Sequence, residues 1–292
     1  MASLSECFLG RTFHRFSGFP NRSLLLQLAR KGLSKLQMNT PKLDVLFRSC
    51  SRVSNVHGAT RLLGLTKQEV ILSCLHSLIQ SMKSCHYPSL TLTIIDDHSN
   101  NDCILKIKQL LAECPFPCHF IEMNTTGNSE SIRTNYDYAR ANCSELIYFV
   151  EDDYLHESSA IKEMLEAYTN LKISTQREVV VHPCDYPDRY DAPYPSIIFK
   201  SPTRYWRSIH HTTGTFLLSR TTFDQHWSKY EAFSGYGSIP GITEDNTINQ
   251  VYATVPCFSP MPSLALHFQD EKTLSPYVDW QKLWNENAER RG

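Results

Sequence analysis

The sequence predicts an α/β protein with a mostly parallel central sheet flanked by helices. Three observations carry that prediction. Short apolar runs rich in β-branched and aromatic residues recur from residue 43 onward, as strands buried on both faces do. Segments with apolar residues at three- and four-residue steps separate them, which is the βα alternation of a doubly wound sheet. Two of the runs end in clustered acids, Asp96-Asp97 and Glu151-Asp152-Asp153. Unpaired charges are too costly to bury, so these ends belong at the rim, where open sheets bind ligands.

The elements follow in chain order. Residues 1–42 form a basic N-terminal extension, with seven Lys/Arg against the single acid Glu6; the remainder carries 22 basic and 29 acidic residues. Leu24, Leu25, Leu28 and Leu36, interleaved with Arg22, Arg30, Lys31 and Lys35, suggest an amphipathic basic helix there. Three readings of it stand: an organelle-targeting peptide, a peripheral contact with an anionic membrane face, or a plain extension. The acidic remainder is a poor match for nucleic acid. No apolar run approaches the roughly 18–20 residues a membrane span requires. Ten cysteines without zinc-site spacing read as free thiols of a reducing cytosol, hence a cytoplasmic protein.

Residues 43–47 read as the first strand, with 48–52 as the loop that leaves it. Residues 66–83 read as a helix, Thr66 and Glu69 forming its capping box. A strand at 90–95, a helix at 103–111 stopped by Pro115 and Pro117, a strand at 119–123 and a helix at 130–142 complete the alternation before the fourth strand, 146–150. By the right-handed crossover rule the two acidic strand ends share one rim. Carboxylates gathered there repel one another unless a cation joins them, and oxygen ligands suit Mg²⁺ or Mn²⁺. The pattern therefore suggests a divalent-metal site holding a diphosphate; the alternative is an acidic loop opening a helix.

Beyond it come a helix to about residue 171 and a strand at 179–181. The proline- and tyrosine-rich stretch 182–207 reads as a long surface excursion, in which Trp206 and the tyrosines are suited either to stacking on a sugar or to packing. A strand at 215–218, a helix at 223–233, a Gly-rich turn at 235–237 and a helix at 246–253 opened by Glu244-Asp245 follow. A short strand, 263–267, ends in His267. In the tail, Trp280 and Trp284 stand at helical spacing suited to packing.

With these residues laid out, the chain resembles the GT-A fold glycosyltransferases, especially the family 2 group, from about residue 43 to residue 267. Residues 94–99, IIDDHS, are similar to the strand-end DDxS of that family, whose acid contacts the base or ribose of a sugar nucleotide. Arg133 and Asn135 match its Arg/Asn helix signature. Glu151-Asp152-Asp153 resembles the DxD metal motif, Glu244-Asp245 the acidic pair that opens the acceptor-side helix, and His267 a late metal-ligating histidine. The sequence departs from the family in having Arg48-Ser-Cys-Ser-Arg52 after the first strand and His98 where glycine is usual.

The resemblance implies one GT-A domain over 43–292, with a nucleotide-sugar donor half (43–157) and an acceptor half (158–292). It further implies a metal-dependent, inverting transfer of a sugar from a nucleotide-diphosphate sugar, a UDP-sugar foremost, to a glycan or other hydroxyl acceptor. Asp153 and His267 would hold Mn²⁺ or Mg²⁺, while Asp96, Asp97, Arg133, Asn135 and Asp152 bind the donor. Asp245, or Glu244 in second place, would serve as general base; the competing role for that pair is helix capping. His210 and His211 are candidates for the acceptor cleft or for ordinary structural histidines. Two alternatives remain: a sugar-phosphate nucleotidyltransferase, and a catalytically silent glycan- or nucleotide-binding module of the same fold.

Overall fold

Among the described residues the central sheet has nine strands, in the order β3-β2-β1-β4-β9-β6-β10-β8-β7. The computed structural model describes residues 40–52, 61–275 and 277–288. The basic segment at the N-terminus, with its expected amphipathic helix, lies outside the described residues up to residue 39. The first half of the sheet is β1 (Leu43–Ser49), β2 (Leu90–Asp96), β3 (Cys118–Glu122) and β4 (Leu146–Glu151), all mutually parallel. The second half is built from β6 (Val180–Val181), β7 (Ile198–Lys200), β8 (Tyr205–Ile209), β9 (Phe216–Ser219) and β10 (Cys257–Met261). Of the nine strands only β8 and β9 run against the rest. The α/β class with a mostly parallel sheet is thus as the sequence predicts.

Helices cover both faces. On one face lie α1 (Lys67–Ser84), α2 (Asn101–Ala112) and α4 (Ala160–Thr175); on the other lie α3 (Asn128–Asn142), α6 (Arg220–Gln225) and α7 (Trp227–Phe233). Strand β1 shows why: Val45 and Phe47 pack into the first layer and Leu46 into the second, because alternate side chains of a strand point to opposite faces. Helix α1 starts with the expected capping box, Thr66 Oγ1 accepting from Glu69 N and Glu69 accepting from Thr66 N. Its Ile71, Leu75 and Leu78 are fully buried; truncating any of them to alanine costs about 2–5 kcal/mol.

A two-stranded antiparallel ribbon stands apart from the main sheet. It pairs β5 (Tyr154–His156), the continuation of β4 past its acids, with β11 (Ala265–His267). Helix α8 (Trp280–Ala288) packs on it, Trp284 stacking on Phe268 at 4.7 Å and Trp280 meeting the same ring edge-on. Among the described residues no helix is long and apolar enough to cross a membrane.

Several local expectations are corrected. Residues 182–207 are more regular than expected: they supply β7, most of β8 and the single-turn α5 (Asp188–Asp191). Residues 190–205 do lie at the surface, but Trp206 is only 1% exposed, so it packs in the core and does not stack on a ligand. The prolines there separate elements that are too short to show periodicity. The helix expected at 223–233 is two helices, broken at His226, where φ is −110°. The helix expected at 246–253 is a 3₁₀ turn, Ile248–Ala253, whose N-cap is Thr247, so neither Glu244 nor Asp245 caps it. The short strand ending in His267 is present as expected, as the ribbon strand β11.

Candidate active site

The C-terminal ends of the parallel strands open into a cavity of about 830 Å³. Its walls come from distant parts of the chain: Arg48 to Cys50 at the end of β1, Lys67 at the start of α1, Asp97 after β2, Gly127 and Asn128 at the start of α3, and the acid triplet at the end of β4. Thr213, Gly214, the segment around Tyr236–Glu244 and His267 close the far side.

Strand β4 extends one residue further than expected, so Glu151 is its last residue and Asp152-Asp153 form the turn into β5. Each acid has a cationic partner from the chain. Arg48, opposite Glu151 in the parallel register, donates from Nη2 to Glu151 Oε1 at 2.9 Å and from Nη1 to Asn128 Oδ1 at 2.7 Å. Gly214 is what lets the Glu151 carboxylate lie there, since a Cβ at 214 would stand 2.8 Å from it. Lys67 donates to Asp152 Oδ1 at 2.5 Å and lies 3.8 Å from Asp153 Oδ2. The other Asp152 oxygen accepts from the backbone N–H of Cys50 at 3.0 Å.

Asp153 faces His267, with Oδ1 3.5 Å from Nε2. The ribbon sets this pair: His267 is in register with Tyr154, stacks on that ring at 4.7 Å, and takes a hydrogen bond between Nδ1 and the Tyr186 hydroxyl at 3.2 Å. Burial opposes charge on both groups, yet each offsets it for the other. Together with Lys67 they hold the Asp153 carboxyl below the usual carboxylate range, and Asp153 holds the His267 imidazole above its usual range. Asp153 Oδ1 is buried without a hydrogen-bond partner. Among the described residues no group of three or more His, Cys, Asp or Glu side chains is close enough to hold a metal ion; Asp153 and His267 form a pair of donors.

The residues expected from the sequence divide. Asp97, Asp152, Asp153, Glu244 and His267 line the cavity together. Asp97 is held there by the Gly127 N–H at 2.9 Å and by His98 Nδ1 at 3.0 Å. His98 sits at φ 55°, in the left-handed region that favours glycine. Asp96 lies outside the lining: it is fully buried, with Oδ1 taken by Ser49 Oγ at 2.7 Å and Oδ2 by the Ser99 N–H at 2.8 Å, so it braces the rim from beneath. Arg133 is exposed on α3 and Asn135 is buried in it; neither reaches the lining. Asp245 is exposed and accepts from Asn249 Nδ2 at 2.9 Å, whereas Glu244 lines the cavity beside Tyr236, whose hydroxyl is held above its ordinary range by burial and by the Glu244 charge. His211 pairs with Asp188 at 3.4 Å, and the backbone N–H of His210 donates to Tyr194.

Sequence reasoning missed both cations. Arg48 reads as a loop residue, and only the register makes it the neighbour of Glu151. Lys67 carried a signal: a cation in the first turn of a helix opposes the helix dipole, and an α/β helix following a strand begins at the ligand-binding rim.

No protein-family model and no curated protein sequence matches the chain. Among solved structures, it is similar to S. aureus TarS 1–349 with a TM-score of 0.44 and 12% identity, over 75% of this chain and 57% of that one. The mannosyltransferase PcManGT from Pyrobaculum calidifontis, in complex with GDP-Man and Mn²⁺, matches with a TM-score of 0.47 and 12% identity over 92% of this chain and 70% of that one. An apo UDP-glucose pyrophosphorylase matches with a TM-score of 0.44 and 12% identity over 85% of this chain and 97% of its own. The chain thus spans a little over half the length of TarS 1–349.

Proposed function

We propose that the protein is a GT-A-type glycosyltransferase, moving a sugar from a nucleotide-diphosphate sugar to an acceptor hydroxyl. The observation that carries this reading is the convergence of Asp97, Asp152, Asp153 and His267, with Arg48 and Lys67, on one cavity at the C-terminal rim of the parallel strands. Open α/β sheets bind nucleotides at that place, and the cavity is of a size for a small-molecule ligand.

The residues fit a divalent ion. Asp153, with its orphaned buried oxygen, and His267 would be its two protein donors, leaving the other positions to phosphate oxygens and water as Mg²⁺ or Mn²⁺ prefers. When bound, the ion supplies Lewis-acid neutralisation of the charge that builds on the departing diphosphate. Asp97, at the β2 end of the cavity, suits the nucleoside. Glu244, which lines the cavity beside Tyr236, is the acid suited to take the acceptor hydroxyl's proton; that assignment also makes residues 158–292 the acceptor side. An inverting course follows from a carboxylate acting as base rather than as nucleophile.

The test is a transfer assay over a panel of nucleotide sugars with Mn²⁺. Glu244→Gln lowers the transfer rate by about 10²-fold or more, the usual worth of a positioned base, with UDP affinity unchanged. Asp245→Asn leaves the rate within about twofold. A Glu244→Gln enzyme that transfers normally removes Glu244 as base. A second reading, nucleotidyl transfer onto a sugar phosphate, draws on the paired cations Arg48 and Lys67, which suit a triphosphate equally well. Pyrophosphate release from a nucleoside triphosphate plus a sugar 1-phosphate distinguishes it.

A further inference from the structure

We infer that Lys67 is a built-in anchor for the diphosphate, and that a nucleoside diphosphate therefore binds this protein without any divalent metal. The inference rests on the nucleotide-sugar reading of the site and goes beyond it, since it concerns a residue and a binding mode that the DxD resemblance does not supply.

A lysine ammonium has three N–H donors and no acceptor. Among the described residues Lys67 makes one hydrogen bond, to Asp152 Oδ1, and its 3.8 Å separation from Asp153 Oδ2 is too long for a second. Two donors thus have no acceptor among the described residues, on an ammonium that lines the cavity with its side chain 13% exposed. Phosphate oxygens are acceptors suited to them.

The ammonium is also held in place. Asp152 is tied on its other oxygen to the Cys50 N–H at 3.0 Å, so the carboxylate that grips Lys67 belongs to the rim itself. The lysine backbone is fixed by the capping box that opens α1. An anchor ordered before the ligand arrives loses little side-chain entropy on binding.

Arg48 lies beside Glu151 and Lys67 beside Asp152, so a diphosphate at this rim would meet two cations of the chain.

The experiment is calorimetric titration of the full-length protein with UDP and GDP, once in EDTA and once in Mn²⁺. The wild-type protein binds at least one of the two in EDTA, with a Kd within about tenfold of its Mn²⁺ value. Lys67→Met weakens binding in EDTA by tenfold or more, and Lys67→Arg retains most of it. Wild-type binding that vanishes in EDTA and returns with Mn²⁺ overturns the inference alone, and that arm needs no variant to fold. A folded Lys67→Met protein, verified by its thermal transition, that titrates like wild type in EDTA also overturns it. Absence of UDP and GDP binding in both conditions overturns this inference together with the proposed function.

Discussion

Two charged networks a short way apart in this fold have opposite characters. In the first, Arg204 ties the start of β8 to α4 and to the β10–β11 connection. Its Nε and Nη2 donate to Glu163 at 2.7 and 3.1 Å, Nη2 also to Glu157 at 2.9 Å, and Nη1 to the carbonyls of Pro262 and Ser263 at 2.8 and 3.1 Å. All five guanidinium donors are thereby used. In the second, at the cavity, Lys67 uses one donor of three among the described residues, and Asp153 Oδ1 has no hydrogen-bond donor among them, its neighbour His267 Nε2 standing 3.5 Å away. Both networks hold partly buried ions in close pairs. Saturation separates scaffold from site: a network with every donor and acceptor committed only holds the fold together, whereas an unfinished one beside a cavity has capacity left for a ligand.

The comparison can be broken first at Arg204. Arg204→Met leaves Glu163 and Glu157 without their partner, and losing one member of a buried ion network costs about 3–5 kcal/mol. Urea denaturation should register that loss, while nucleotide affinity of the folded protein stays within about twofold. A loss below about 1 kcal/mol would mean that saturation is no guide to structural weight.

A second network on the saturated side sharpens the point through pH. His156 is fully enclosed, with Nε2 accepting from the Tyr148 hydroxyl at 2.8 Å and Nδ1–H donating to the Tyr154 carbonyl at 2.9 Å. Burial pushes its pKa from 6.5 down to about 4. Above pH 6.5 the imidazole is neutral in both folded and unfolded chains, and its packing counts in full. Below 6.5 the unfolded chain takes up a proton that the folded one refuses until about pH 4, so stability falls across that window. The total is about 3 kcal/mol. Equilibrium unfolding of wild type and His156→Gln between pH 7 and pH 4 measures it: the slope should be flatter in the variant.

The smallest expected effect joins the two sides. Thr66→Ala removes the N-cap of α1 at a cost of about 1 kcal/mol, read by urea denaturation. Because that cap fixes the turn carrying Lys67, metal-free UDP binding should weaken two- to threefold, whereas an exposed substitution elsewhere on α1 leaves it unchanged.

How much of this was legible in the sequence depends on the length of each signal. Strands β1 to β4 and helices α1 to α3 are long enough for periodicity to declare them, and the acids at the ends of β2 and β4 marked the rim. Strands β5 and β7 are three residues long, too short for any alternation, and nothing in the sequence marks them. Within the site, Asp96 and Asp97 look equivalent in sequence. Strand register alone sends the first beneath the rim, onto Ser49, and the second into the cavity. The same holds for Glu244 and Asp245, where turn geometry decides which carboxylate points inward. Residue chemistry announced that a site exists; tertiary register chose which of two adjacent acids belongs to it.

The ribbon of β5 and β11 has one more consequence. Asp153 and His267 lie more than a hundred positions apart, yet they are adjacent rungs of one short ladder, closed by the Phe268 N–H on the Asp153 carbonyl at 2.6 Å and the Glu157 N–H on the Leu264 carbonyl at 2.9 Å. In a ladder of period two, sliding one strand by a single residue turns every side chain to the opposite face. Inserting or deleting one residue between β10 and β11 would therefore swing the imidazole away from its carboxylate while leaving both residues in the sequence. Chain length in that connection, as much as the identity of the two side chains, sets whether the pair exists.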